Sequence, residues 1–251
     1  MTRPDPPGSA PPSRRAVLLT AGGLAAAGGG FAAGYQVAGA ASSGADSLDA
    51  LRTPTPGEDL MAEHGLLIRI LLIYRHLLAT QASGQPVSAG HAHDSALIIH
   101  DYIEAFHEEL EEAYVFERLM QAGRLKPTVS TLLVQHARGR ELTQLILAET
   151  GGSGSLPTAA VSRVASAMAG FVRMYEPHEA REDTVVYPAF RALLTPTEIA
   201  DLGDRFAQLQ TEQFGSDGFA AMVRRVSAIE RALGIYDLAQ FTPPNVTPSV
   251  A

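Results

Sequence analysis

The stretch His107-Glu108-Glu109-Leu110-Glu111-Glu112 has a counterpart later in the chain, His178-Glu179-Ala180-Arg181-Glu182-Asp183. In each copy a His is followed by Glu one and four positions on, then by a second acid. Three positions beyond that acid comes an apolar pair, Val115-Phe116 or Val186-Tyr187. Each copy also has a lone His upstream, His64 before His107 and His136 before His178, at nearly equal separations. Two equivalent halves, each offering a His and then a His with a Glu, read as one metal site built by duplication. Such a site constrains the fold, because side chains four positions apart share a face only on a helix.

The 251 residues suffice for one ordinary domain with extensions and a real core. Hydrophobic residues make up 46% and charged residues 18%, a globular balance. The net charge of −8, with no basic run or patch, argues against a nucleic-acid partner. Cysteine is absent, which excludes disulfides, thiolate ligands, thioether-attached haem and iron–sulfur clusters.

Residues 1–41 read as a signal outside the fold. Ser13-Arg14-Arg15-Ala16-Val17-Leu18-Leu19 sets a twin arginine before an apolar stretch rich in Ala and Gly, and Ala38-Gly39-Ala40 offers a cleavage site. This resembles a twin-arginine export signal, with Val17 where Phe is commonest. It implies delivery to the periplasm or cell envelope by a route that carries folded, cofactor-loaded proteins, and no membrane attachment once the signal is removed. An uncleaved membrane anchor is the alternative, which the glycine content disfavours. Residues 42–56 read as a linker.

Four helical segments follow, at about 57–82, 88–121, 127–150 and 157–194. The first carries a stripe at Leu60, His64, Leu67, Ile68, Leu71, Leu72 and Leu78. Ser83-Gly84-Gln85-Pro86 and the glycines around 151–154 break the chain between them. Pro177, directly before His178, is expected to kink the fourth. Short connections and the lack of strand-like alternation predict an all-α, antiparallel four-helix bundle over 57–194. Two shorter helices, about 196–213 and 219–233, form an extension over 195–240 that covers a bundle end or mediates dimerisation, and 241–251 is a loose tail.

On this bundle His107 with Glu111, and His178 with Glu182, present a nitrogen and a carboxylate to one point. His64 and His136 add one nitrogen each from facing helices. Four imidazoles and two carboxylates exceed what one tetrahedral zinc with an open position takes. They suit two octahedral ions, each with two His, bridged by the two carboxylates and a water-derived oxygen. Nitrogen and oxygen donors without sulfur favour Fe, Mn or Zn. A lone His in an apolar stripe is usually a core residue, and one His-x-x-x-Glu pair is usually solvated. Four sets that recur in the same register, one per helix, have no such explanation.

The pattern resembles the hemerythrin-like (HHE cation-binding) family over about residues 58–193: His, His-x-x-x-Glu, His and His-x-x-x-Glu on successive helices. The resemblance implies a non-haem di-iron centre, with His64, His107, His136 and His178 as terminal ligands and Glu111 and Glu182 as bridges. Oxygen-carrying hemerythrins have a further His one turn after the third-helix His, where this chain has Arg140. They end on an Asp five positions after the last His, where this chain has both Glu182 and Asp183. A step of four favours Glu182, with Asp183 a lesser candidate. The more symmetric site is similar to the iron-repair and nitric-oxide-responsive branch.

Among the remaining residues, Glu108 and Glu179 are expected at the surface, as are His76, His91 and His93. His100 is expected in packing or at the surface. Arg138 and Arg140 are expected to pair with acids on neighbouring helices. Tyr74, Tyr102, Tyr114 and Tyr175 are candidate donors to a bound oxygen ligand. The function implied is binding or processing of O2, peroxide or nitric oxide at a di-iron site. The alternatives are an iron-binding sensor, storage or repair module without catalysis, and a metal-free interaction bundle. No positioned base or substrate cleft is legible, which leaves enzymatic status, catalytic residues and oligomeric state open.

Overall fold

Thr55-Pro56-Gly57-Glu58 starts the first helix with a reciprocal cap: the Thr55 hydroxyl accepts from Glu58 N–H and the Glu58 carboxylate accepts from Thr55 N–H. Pro56 occupies the first turn, where its missing N–H costs nothing. The same device recurs at Thr195-Pro196-Thr197-Glu198. In this computed structural model residues 54–151 and 158–244 are described. The signal, most of the linker and the end of the tail lie outside them. The last linker residues do not behave as linker, since Pro56 is helical and buried.

All regular structure among the described residues is helical. The elements are α1 (Pro56–Ala82), α2 (89–121), α3 (Lys126–Thr150), α4 (158–191), α5 (Pro196–Phe214) and α6 (Gly218–Leu233), followed by a short 3₁₀ turn at Leu238–Phe241. Two of them change pitch without breaking. In α2 the backbone is π-helical over Ile99–His107 and again over Glu111–Phe116, and in α4 over Glu182–Val186. His107 ends one wide turn, while Glu111 and Glu182 each begin another. Such turns concentrate at functional positions because they re-aim side chains. Pro177 sits inside α4 without ending it.

Around one core α3 packs on α4 and on the start of α2, and α1 packs on α4 and α6. Leu60, Leu67, Leu71, Ile103, Phe106, Leu110, Val164, Met168 and Phe171 fill the interior. The expected α1 stripe needs correction. Ile68 and Leu72 are 47% and 40% exposed, whereas Leu66, Ile70 and Ile73 are buried. The reason is burial on more than one side, since α1 packs on α4 and also on the helices of the extension. Arg69 on α1 donates to Glu230 Oε1 (2.9 Å) and Ser227 Oγ (2.7 Å) on α6. The rings of Phe214 and Phe219 stand against Tyr102, with centroids 5.1 and 6.5 Å away. The extension therefore lies along α1 and α2, where each aromatic pair adds about 0.5–1.5 kcal/mol beyond its buried area.

Candidate metal centre

His64 on α1, His107 on α2, His136 on α3 and His178 on α4 meet in the interior with Glu111 and Glu182, and all six side chains are buried. The imidazoles form two close pairs. His64 and His107 have centroids 4.7 Å apart, and His136 and His178 have centroids 5.0 Å apart. Each carboxylate reaches across the pairs. Glu111 Oε2 lies 3.5 Å from His107 Nε2 and 3.4 Å from His136 Nε2. Glu182 Oε2 lies 3.4 Å from His64 Nε2 and 3.1 Å from His178 Nε2.

The outer nitrogens explain why every Nε2 faces inward. His107 Nδ1 donates to Glu63 Oε2 (3.0 Å), His136 Nδ1 to Glu112 Oε1 (2.9 Å), His178 Nδ1 to Gln135 Oε1 (2.9 Å) and His64 Nδ1 to Asp183 Oδ1 (2.7 Å). The partners form a closed circuit in which each helix holds the imidazole of the next: α1 holds α2, α2 holds α3, α3 holds α4, and α4 holds α1. All four acceptors are oxygens. They hold a proton on Nδ1 and turn Nε2 to the interior as the nitrogen a metal would take, the usual support of a metal-bound imidazole.

The electrostatics agree. Burial opposes charge on His64, but Asp183 and Glu182 outweigh it and hold its pKa well above the ordinary value. Burial also opposes charge on His136, yet Glu111 and Glu112 raise its pKa to about 10. Burial works to raise Glu182, and His178 and His64 overcome this, leaving it well below the usual carboxylate range. The cluster attracts positive charge, and protons on imidazole hold part of it. Meanwhile His107 Nε2, Glu111 Oε2 and both oxygens of Glu182 make no hydrogen bond among the described residues, although buried. Orphaned atoms of this kind are costly, about 1–3 kcal/mol each. Here they converge, as donors to a cation would. Two groups among the described residues have metal-ligand spacing on these atoms: His64, His107 and Glu111, and Glu111, His136, His178 and Glu182. The residues fit a bound metal.

Several expectations change. Glu108 and Glu179 are buried, not at the surface. Glu108 Oε1 accepts from Tyr175 OH (2.6 Å) and Oε2 pairs with Arg140 (2.9 Å). Among the described residues Glu179 has no hydrogen-bond partner for either oxygen, and burial pushes its pKa up to about 8. Both follow a His that points inward, so both sit at the rim of the same chamber. Arg140 pairs with Glu108 and Glu112 on α2 as expected, whereas Arg138 pairs with Glu141 on its own helix. His93 is half-buried, 3.0 Å from the Thr150 hydroxyl, and His91 is half-buried as well. Asp183 stands outside the chamber as the partner of His64.

Among the tyrosines, the hydroxyl that reaches the centre belongs to Tyr187, which the sequence pattern presents only as half of an apolar pair. Its OH donates to Glu111 Oε1 (2.6 Å) and lies 3.2 Å from His64 Nε2. Tyr102 is one layer out, donating to Glu63, and Tyr175 donates to Glu108. Tyr175 comes this close because α3 has Gly139 opposite it: a Cβ there would lie 2.0 Å from the Tyr175 oxygen.

Comparison with known proteins agrees with this geometry. The family model for the hemerythrin HHE cation binding domain matches residues 55–190. Uncharacterized proteins of Mycobacterium bovis and Mycobacterium tuberculosis are 47% identical over 189 residues, covering 75% of this chain and 74% of theirs. No solved structure shows a significant match.

Proposed function

Because this chain belongs to the hemerythrin HHE cation-binding domain family, we propose that it is a non-haem di-iron protein that binds or processes O2, peroxide or nitric oxide. The family binds metal cations, typically iron, and the His/Glu clusters here could hold them. In this reading α1–α4 form an antiparallel four-helix bundle. His64, His107, His136 and His178 would hold the metal by nitrogen, and Glu111 and Glu182, each within reach of both histidine pairs, would hold it by oxygen. One observation carries it: four imidazoles, each clamped at Nδ1 from the neighbouring helix, turn Nε2 towards two carboxylates whose inward oxygens have no other partner.

Two iron ions held there would supply reversible binding and redox activation of a small oxygen-type ligand. The protein's own contribution is the rest. Leu67 and Ile103 line the chamber beside the histidines, and the buried side chains around it shield it from solvent, so entry requires side-chain motion. Tyr187 holds a proton at its oxygen, aimed at Glu111 Oε1. Burial keeps that phenol neutral, with Glu111 and Glu182 adding to the effect, so it remains a donor throughout the physiological range. The twin-arginine opening at Ser13-Arg14-Arg15 supports a site of action in the cell envelope.

Full enclosure of the six side chains also suits a second reading, an iron-holding sensor, storage or repair module without catalysis. Metal analysis with absorption spectra of the protein, reduced and then exposed to air, tests the first. Two irons per chain and oxo-to-iron charge-transfer bands on oxidation are expected. Iron that a mild chelator removes without unfolding would favour the second. No stoichiometric metal after reconstitution with iron, manganese and zinc would end both.

A further inference from the structure

A second line of polar groups in the core leads from the wall of the metal chamber towards solvent. His100, Glu104 and Glu108 follow one another at steps of four along α2, from a solvent-exposed imidazole to the chamber wall. Glu104 is only 4% exposed, and its Oε1 makes no hydrogen bond among the described residues. Two hydroxyls flank it: that of Tyr74 from α1, unpartnered among the described residues, and that of Thr143 from α3, which supports the Glu104 carboxyl. A buried carboxyl oxygen and a buried phenol, both without partners among the described residues, are too costly to serve packing alone. A site this polar is suited to bridging water.

We propose that Glu104 is a proton relay between solvent at His100 and the metal chamber at Glu108. The relay rests on the metal reading above, because it gives the chamber a route for the protons that metal or ligand binding displaces. The groups facing Glu104 are Tyr74 on α1, Arg140 and Thr143 on α3, Tyr175 on α4, and His100 and Glu108 on its own helix. Burial raises its pKa to about 7; Glu108 adds to this, while Thr143, His100 and Arg140 oppose it. A carboxyl poised near neutrality both accepts and releases a proton, which a relay requires. Tyr74 cannot fill that role, since burial pushes its phenol far up.

The test uses the full chain and its Glu104→Gln and Thr143→Val variants. Infrared spectra of the metal-free protein are expected to show a protonated-carboxyl band that titrates near neutral pH, shifts promptly in D2O, and is missing from Glu104→Gln. Stopped-flow with a pH dye then follows the protons released when zinc(II), which is redox-inert, binds. Glu104→Gln should bind the same amount of zinc but release protons about a hundredfold more slowly, with the wild-type dependence on pH flattened. Thr143→Val should fall between the two. Wild-type release kinetics in a folded Glu104→Gln, or no Glu104-dependent infrared band, would overturn the relay and leave the metal site standing. A wild-type chain that binds neither zinc nor iron would overturn both.

Discussion

Gln135 holds His178 in the place where, one repeat earlier, Glu63 holds His107: each precedes a His and accepts from the Nδ1 of the next helix, at 2.9 and 3.0 Å. The two halves of the centre are therefore alike in geometry and unlike in charge. Three imidazoles lean on carboxylates and the fourth on a neutral amide. A carboxylate behind an imidazole makes it more basic and a stronger ligand, and loss of such a partner costs about 10- to 100-fold in metal affinity. Glu63→Gln is accordingly expected to weaken metal binding by about that factor, and Gln135→Glu to strengthen it. Competition titrations against a chromophoric chelator measure both, and equal affinities in all three proteins would refute this account of the circuit.

The same circuit makes the metal-free protein sensitive to alkali. His136, raised to about 10 from an ordinary 6.5, contributes stability that is fully present below about 6.5 and lost as pH climbs through 10. His64, raised for the same reason, acts in the same direction. Glu182, held low, contributes stability present above its ordinary value of 4.5 and lost as pH falls through its depressed pKa. The metal-free chain should resist urea best between these limits. Its midpoint should drop markedly by pH 9.5, and bound metal should abolish the alkaline drop by replacing the protons. A metal-free chain equally stable at pH 6 and 9.5 would contradict the assignment.

Tyr187→Phe isolates the one tyrosine hydroxyl that reaches the centre among the described residues. It leaves the buried Glu111 Oε1 without its donor, a loss of about 1–3 kcal/mol in the metal-free state. Chemical denaturation reads that loss directly. With metal bound, the spectrum of the nitric oxide or peroxide adduct should shift as well. Wild-type stability together with an unchanged adduct spectrum would remove Tyr187 from the site.

Why six of these positions are legible in the chain alone, and their supports are not, follows from how each is specified. His64, His107, Glu111, His136, His178 and Glu182 repeat in register, and register survives in sequence. Glu63 and Gln135 differ from each other, so the repeat that marks the six candidate ligands hides their supports. Glu108 and Glu179 look like outward neighbours of a ligand on a uniform helix. Glu108 is buried because Tyr175 and Arg140 stand opposite it and meet its two oxygens. Ile68 and Leu72 fit the apolar stripe and yet are exposed, because α1 has apolar residues on more than one face. Which of them is buried depends on where the extension docks, and no local pattern encodes that.

Gly139 offers the sharpest test of packing near the centre. Its missing Cβ is what admits the Tyr175 ring, whose oxygen would lie 2.0 Å, and whose Cε2 and Cζ would lie 2.8 Å, from an added methyl. Gly139→Ala should therefore displace the ring, break the bond from Tyr175 to Glu108 Oε1, and cost about 1–3 kcal/mol by overpacking. That outweighs the gain in helix propensity from replacing Gly by Ala, about 1 kcal/mol. Tyr175→Phe in the same chain removes the oxygen contact but not the two carbon contacts, so rescue should be partial. Tyr175→Leu should relieve more of the clash while leaving its own cavity. Denaturation of the single and double mutants gives the coupling. A Gly139→Ala chain more stable than wild type would mean that Tyr175 does not rest on α3 at this point.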